Sequence, residues 1–350
     1  MPSTLRDFTT TTADWRRSLR QNRRRTFYVI ITFLLIYLAL GGLIDLYLYS
    51  GSFPQASLSH IGMALITFQL WPKATIVVVV VAVIALWVTY AFADRLMLLG
   101  IEYRKITPDT AQNAREQQLY NVVEEMKVAA GLHFMPTVYV MDADYMNAFA
   151  SGYSEKSAMV AITRGLMEKL DRDELAAVMA HELSHIRHMD IRLTLTASVL
   201  ANITLIVIDI LFFSTLFGGR NGREGRGRNQ LFIIILLLRY LLPLVTVILM
   251  LYLSRTREYM ADAGSVELMR TNEPLARALL KIQGDHEQHQ AEYGAAYAAT
   301  PHESLRREAY IFDPCQMQLA NRQSMASDFF STHPSLAKRL KAIGVTKKSV

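Results

Sequence analysis

Asp171-Arg172-Asp173-Glu174 opens a run that ends His181-Glu182-Leu183-Ser184-His185. An aspartate followed three residues later by a glutamate marks a reciprocally capped helix start, so a helix is expected from Arg172 onward. On that helix His181 and His185 lie one turn apart on the same face and can grip one metal ion. Glu182 is then held beside the metal, where it can take a proton from bound water. The H-E-x-x-H spacing on a helix is the pattern that zinc-dependent peptide hydrolysis requires.

The residues downstream tie this helix to a membrane. From Leu166 to Phe217 the chain has no glycine or proline, so the helix is expected to run with little interruption into the apolar segment Leu193–Phe217. At 1.5 Å per residue, His185 is about 12 Å from Leu193, which would place the metal close to the bilayer surface. Four segments are apolar enough to span: Phe27–Leu48, Thr75–Ala93, Leu193–Phe217 and Leu231–Leu253. The chain is 350 residues long, 51% hydrophobic and carries a net charge of +6, much of it in two arginine-rich segments. Topology control accounts for those arginines better than nucleic-acid binding does, and no nucleic-acid partner is expected. Arg16, Arg17, Arg20, Arg23, Arg24 and Arg25 precede the first span and put the N-terminus in the cytoplasm by the positive-inside rule. The first span is too long for a signal peptide, and no small-residue cleavage site follows it. The single cysteine, Cys315, excludes an intrachain disulfide and reads as inert.

The second hairpin is less regular. Its first leg holds Asn202 and Asp209, its second Arg239 and Pro243, and Arg220, Arg223, Arg226 and Arg228 fill the loop between them. That loop would face outward against the positive-inside rule. Either the first hairpin dominates topology, or the second is a shallow, partly inserted pair. Asp209 and Arg239 each stand about 12 Å from the loop. They form an ion pair at matching depth, or each faces water separately. Asp45, near a span end, is expected to reach the headgroups.

Two histidines leave a catalytic zinc site one protein ligand short, with a fourth position for water. The best candidate lies in Ser254-Arg255-Thr256-Arg257-Glu258-Tyr259-Met260-Ala261-Asp262. An even number of crossings separates His185 from Glu258, so both lie on one side. Asp262, one turn beyond Glu258, can receive the free ring N–H of a ligating histidine.

In these pieces the chain resembles the HtpX-type membrane zinc proteases, related to the CAAX-prenyl endopeptidases. The matching residues are His181-Glu182-x-x-His185, Ser254-Arg255-x-x-Glu258-x-x-Ala261-Asp262, Asn147-Ala148-Phe149-Ala150-x-Gly152 and Thr332-His333-Pro334, in the family's order. The resemblance implies one zinc ion held by His181, His185 and Glu258. It implies that Asn147, Ala148, Phe149, Ala150 and Gly152 form an edge strand on which substrate lies, and that His333 helps bind the developing oxyanion. It further implies a multi-pass protein of the bacterial inner membrane, with its catalytic domain in the cytoplasm. Protein or peptide substrates, membrane proteins among them, would be its partners, and the lipid bilayer its setting. The arginine-rich loop and the stretch around His286 and His289 depart from the family pattern. Those two histidines read as solvated, and Tyr293 and Tyr297 as a packed helical pair.

The expected fold class is an α-helical membrane protein with a mixed α/β zincin-like catalytic domain, helix-rich with a small sheet and an edge strand. Helices are expected over Thr110–Ala130, Asn272–Ile282 (Asn272 as cap) and Leu336–Ile343 (closed by Gly344), and strands over Pro136–Met141 and Ser157–Thr163. The organisation reads as a basic arm (1–26), a first hairpin (27–99), a catalytic segment carrying the H-E-x-x-H helix (100–190), a second hairpin (191–253) and a catalytic segment carrying the third ligand (254–350). The activity read from this is hydrolysis of misfolded or surplus membrane proteins at the cytoplasmic face. The alternatives are a specific processing protease of a lipidated peptide and a catalytically silent scaffold or chaperone, the latter disfavoured by the intact Glu182.

Overall fold

Apolar runs and short capped helices sort into two compact units in a computed structural model that describes residues 5, 8–10, 15–97, 102–152, 154–217, 226–299, 309–312 and 333–347. Arg220, Arg223, Cys315 and Thr332 lie outside the described residues. One unit comprises Phe27–Thr89 and Thr194–Met250; the other comprises Met1–Thr26, Tyr90–Leu193 and Leu251–Val350.

The first unit is helical. It is built from α1 (Trp15–Ser52), the short α2 (Leu58–Ile66), α3 (Lys73–Met97), α7 (Asp190–Phe217) and α8 (Arg226–Met269), the longest of which continue beyond it. Among the described residues, four helices are long and apolar enough to cross a membrane: Leu19–Ser52, Lys73–Phe92, Asp190–Phe217 and Gln230–Met269. On α3 the residues Ile76, Val77, Val80, Val81, Val83 and Ile84 are bare, a band that suits lipid and no aqueous surface. Leu40, Ile208, Leu211, Phe212, Leu231, Ile235 and Leu242 turn inward together. Gly41 lets α1 and α3 touch, since a Cβ there would sit 2.8 Å from Thr75 Oγ1.

Asp45 differs from its expectation. It is 1% exposed and accepts from the Ala74 and Thr75 amides at 2.8 and 3.0 Å and from Thr75 Oγ1 at 2.7 Å. The unpaired amides at the start of α3 hold this carboxylate inside, so it does not reach outward to headgroups. Asp209 and Arg239 do pair, with Nε 2.9 Å from Oδ1, and the guanidinium also lies 4.2 Å from the centre of the Phe212 ring.

The second unit carries a four-stranded sheet in the order β2 (Tyr103–Ile106), β3 (Thr137–Met141), β5 (Met159–Thr163), β4 (Ala148–Ser151). β3 and β5 are parallel, and the two outer strands run antiparallel to them. β1 (Phe8–Thr10) and β6 (Val345–Lys347) form a separate ribbon. Around the sheet stand α4 (Ala114–Ala130), α5 (Arg164–Lys169), α6 (Arg172–Arg187), α9 (Glu273–Gln288), α10 (Gln290–Ala299) and α11, which spans Leu336–Ala342. Its core includes Leu119, Val122, Val160, Ile162, Leu166 and Leu175.

Local chemistry explains most element ends. Asn113 caps α4 through Glu116, and Gly131 closes it in the left-handed region at φ 71°. Asp171 and Glu174 make the reciprocal cap of α6, at 2.8 and 3.0 Å. Asn272 makes no capping bond. Its amide donates instead to the Ile343 carbonyl at 2.6 Å, tying α9 to the end of α11.

The run past His185, expected with little interruption, is interrupted at His188–Met189. α6 closes at Arg187, Met189 takes φ +53°, and α7 starts afresh at Asp190. In an unbroken helix Asp190 would project about 140° away from His185, because five residues advance about 500°. The reversal at Met189 turns the carboxylate back toward the imidazole.

The Asp209–Arg239 pair predicts a charge-exchange result. Asp209→Arg or Arg239→Asp alone should lower thermal stability in detergent by on the order of 1 kcal/mol. The double exchange should recover most of the loss. A double variant no better than the worse single one would show that the contact carries no coupling.

Candidate active site

The site is assembled where α6 meets the C-terminal turns of α8. The two helices approach closely because the contact residues are small. A Cβ on Gly264 would sit 2.3 Å from Ser184 Oγ, and Ser265 Oγ donates to the Ala177 carbonyl at 2.7 Å. This contact brings Glu258 and Asp262, one turn apart on α8, against His181 and His185 on α6.

His181 Nε2 and His185 Nε2 face each other at 3.3 Å. Glu258 completes the triangle, with Oε2 3.8 Å from His181 Nε2 and Oε1 3.6 Å from His185 Nε2. Donor atoms from the three residues all lie within 4.8 Å of one another. Donors held about 2.0–2.1 Å from a small tetrahedral cation would stand roughly 3.3–3.4 Å apart. The nitrogens already have that spacing, and the carboxylate is a few tenths of an ångström wider.

Each imidazole is anchored through its other nitrogen. His181 Nδ1 lies 3.1 Å from Asp262 Oδ1, and His185 Nδ1 lies 2.8 Å from Asp190 Oδ2. Each aspartate is in turn held by a buried arginine. Arg339 grips Asp262 with two bonds of 2.9 and 2.6 Å, and Arg257 Nη2 meets Asp190 Oδ1 at 2.9 Å. A carboxylate on Nδ1 keeps the proton there and leaves the Nε2 lone pair free for a metal. Burial lowers the pKa of both rings, that of His185 to about 4, so the neutral, ligating form prevails near neutral pH.

Charge supplies an independent test of fit. Asp190, Glu182, Glu258 and Asp262 are buried acids, while Arg257 and Arg339 are the buried bases beside them. Asp190, Glu258 and Asp262 alone outnumber the two guanidiniums, and the protein interior disfavours a further charge on Glu182, so the cluster carries an excess of negative charge that a cation relieves. Glu258 Oε2 and both Glu182 oxygens are buried, and Arg339 Nη1 lies 3.5 Å from Glu258 Oε2. These residues fit a divalent metal.

Glu182 is fully buried, and its pKa is pushed well above the ordinary carboxylate range, first by burial and then by the charge of Glu258. The Ala150 amide faces it and offsets part of this shift. His333 stands on the other flank, buried, with Nδ1 3.3 Å from Glu258 Oε2. β4 begins after Asn147, and its pairing ends at Gly152, whose φ is +119°. Any Cβ on Gly152 would lie 2.6 Å from the backbone at Ala158, so the position requires glycine. β4 is the last strand of the sheet order, yet its outer side is not bare. Tyr310 bridges Phe149 antiparallel, and the Ile311 amide donates to the Ala148 carbonyl at 2.9 Å.

The family model for Peptidase family M48 matches residues 113–347, which hold every group just described. The chain belongs to peptidase family M48. Among curated M48-like relatives, "Protease HtpX homolog" of Helicobacter pylori is 39% identical over 94% of this chain and 98% of its own length. "Protease HtpX homolog" of Listeria monocytogenes is 31% identical over 83% and 92%. A crystal structure of S. mikatae Ste24p aligns with a TM-score of 0.48 at 19% identity, covering 91% of this chain and 67% of that one. With four membrane-length helices, this M48 chain is a membrane-bound metalloprotease.

Asp190, Arg257 and Arg339 carry no signature of a role in the sequence. The signal available is charge balance, since buried acids need buried bases, but burial itself is not visible in the residues. His286 also departs from its expectation of solvation. It is 2% exposed, bonded to the Ile282 carbonyl and the Tyr297 hydroxyl, and covered by the Phe312 ring. His289 is half-exposed. Tyr293 and Tyr297 are buried together, each packed on Tyr145 and His286.

The close α6–α8 contact gives a test. Gly264→Val should force the helices apart, costing about 1–3 kcal/mol from overpacking. Metal content measured on the purified protein should fall with it. A variant that melts with wild type and retains its metal would show that Gly264 does not set this spacing.

Proposed function

We propose that this M48 chain is a zinc endopeptidase of the HExxH…E type that cuts misfolded or surplus membrane proteins at the cytoplasmic face of a bacterial inner membrane. The observation that carries this reading is the convergence of His181, His185 and Glu258 around one point, with Glu182 buried beside them. His181, His185 and Glu258 would hold the ion, one per chain, and two imidazoles with a carboxylate are a recurrent catalytic zinc set. Bound there, zinc supplies Lewis acidity toward the scissile carbonyl and toward an attacking water.

The chain's own groups do the rest. Glu182 takes a proton from the attacking water and hands it to the departing amine; its burial strengthens it as a base. Asp262 and Asp190 hold the two ring planes while Arg339 and Arg257 hold the aspartates. His333, on the flank of Glu258, donates to the oxygen that becomes negative in the transition state. Asn147, Ala148, Phe149, Ala150 and Gly152 take the substrate as an added strand, where main-chain bonds favour extended, unfolded segments over particular sequences.

The cytoplasmic assignment rests on the arginines before the first span and on the even number of crossings between His185 and Glu258. The relatives named HtpX support proteolysis as the chemistry. Unfolded membrane segments fit a site that is joined in sequence to spans on both sides.

The decisive experiment compares wild type with Glu182→Gln, both purified with zinc, on casein. Wild type should cleave it, and the variant should lose about 10²–10⁴-fold in rate. Glu258→Ala should lose zinc as well. Equal turnover by wild type and Glu182→Gln would overturn the assignment.

A further inference from the structure

The segment Ala309–Phe312 lies antiparallel on the outer side of β4 and makes one bridge there without joining the sheet as a strand. Its main-chain groups are held one after another. The Ile311 amide donates to the Ala148 carbonyl at 2.9 Å, and the Ile311 carbonyl accepts from Arg339 Nη1 at 2.7 Å. The Phe312 amide donates to Asn147 Oδ1 at 3.3 Å, and the Phe312 carbonyl accepts from Asn147 Nδ2 at 2.9 Å. Two consecutive residues thus have all four backbone groups satisfied, and three of the four bonds go to side chains. In an ordinary sheet strand these groups pair with backbone.

The holders belong to the catalytic cluster. Arg339 also grips Asp262, and Asn147 opens the strand whose Ala150 amide faces Glu182. In the register Phe149 opposite Tyr310, Ala150 stands opposite Ala309, so Glu182 lies toward the N-terminal end of the segment. The side chains of the segment fill defined places. Ile311 is 1% exposed in the main core, Tyr310 is buried against Phe149, and Phe312 lies 4.4 Å from the His286 ring.

We propose that Tyr310–Phe312 occupies the substrate's place as an internal stand-in, and that it records the preferred substrate. The Ala148 carbonyl, the Asn147 amide and the Arg339 guanidinium form a main-chain clamp for two residues. The substrate displaces the segment and presents an extended strand with a large aliphatic residue followed by an aromatic one. This inference rests on the protease reading above and narrows it to apolar segments, the composition of membrane-protein sequences.

The test is run on inactive protein, so that its failure is separable from failure of the protease reading. Full-length Glu182→Gln protein, zinc-loaded in detergent, is titrated with a labelled Ala-Tyr-Ile-Phe peptide amide. Replacing the peptide's Ile-Phe with Asp-Ser should weaken binding at least about tenfold, the scale set by filling an apolar pocket. Adding Ile311→Pro removes the amide that bonds Ala148. Freed of a tethered competitor, that protein should bind the peptide at least about tenfold tighter. Phe312→Ala, which only loosens the segment over His286, should tighten binding less, and it decides the matter if the proline variant does not fold. The proposal is overturned if neither segment variant binds more tightly, or if the Asp-Ser peptide binds as well as Ile-Phe. Casein cleavage by wild type that depends on Glu182, alongside either of those results, would leave the protease reading standing and remove this one.

Discussion

The structure of the catalytic unit turns on an excess of buried negative charge. Asp190, Glu258 and Asp262 are enclosed with Arg257 and Arg339 beside them, and Glu182 adds a fourth carboxyl whose ionisation burial opposes. A buried ionised carboxylate without a counter-charge costs several kcal/mol. The cluster is therefore a poor way to stabilise a fold and a good way to bind a divalent ion. The same excess explains the order of the arginines. Each guanidinium grips an aspartate that touches a histidine ring, and Arg339 Nη1 also lies 3.5 Å from Glu258 Oε2, so Glu258 shares an arginine with Asp262. Metal binding and folding are coupled at such a site, because the protein without metal retains the unpaired charge.

Two backbone features make this charge arrangement reachable. The left-handed Met189 places Asp190 beside His185, which no continuous helix could do. Left-handed backbone at a non-glycine residue costs of order 1–3 kcal/mol and persists where its surroundings over-determine it. Here the restraint is the chain Arg257–Asp190–His185, joined by contacts of 2.9 and 2.8 Å, with Arg257 and Asp190 buried. The other feature is Gly264, whose missing side chain lets α8 come near enough for Glu258 to meet the histidines. Neither residue bears on the chemistry, and both fix the distances on which it depends.

What can be read from the residues follows from how local each signal is. The cap at Asp171 and the spacing of His181 and His185 lie within a few turns of one helix, and α6 starts where that pattern places it. The four apolar helices are legible for the same reason, because a membrane span is written continuously along the chain. Glu258 stands 73 positions beyond His185, and no periodicity links them; its candidacy rests on the even number of crossings between them and is sharpened by the family likeness. Asp190 is hidden by a break that no glycine or proline announces. Asp45 and His286 differ from their expectations because their covers come from elsewhere: the start of α3 for Asp45, Phe312 for His286. A polar residue among polar neighbours looks solvated until the distant element that buries it is known.

The covered edge of β4 meets a constraint that bears on any protease binding its substrate as an added strand. A strand edge that accepts many sequences must offer unpaired amides and carbonyls, and such an edge invites pairing with any other chain, including a second copy of itself. Covering it with a few residues of the same chain avoids this at modest entropic cost, because the segment is tethered and its closure penalty grows only slowly with loop length. The cover must also be weak enough to leave. One bridge and three side-chain-to-backbone bonds hold its backbone, without the continuous ladder that joins β5 to β4 on the opposite side, while Tyr310 and Ile311 are buried as side chains. The asymmetry between the two sides of β4 is therefore what function demands. One side fixes the strand in the fold, and the other is occupied by something that a better-fitting strand can replace.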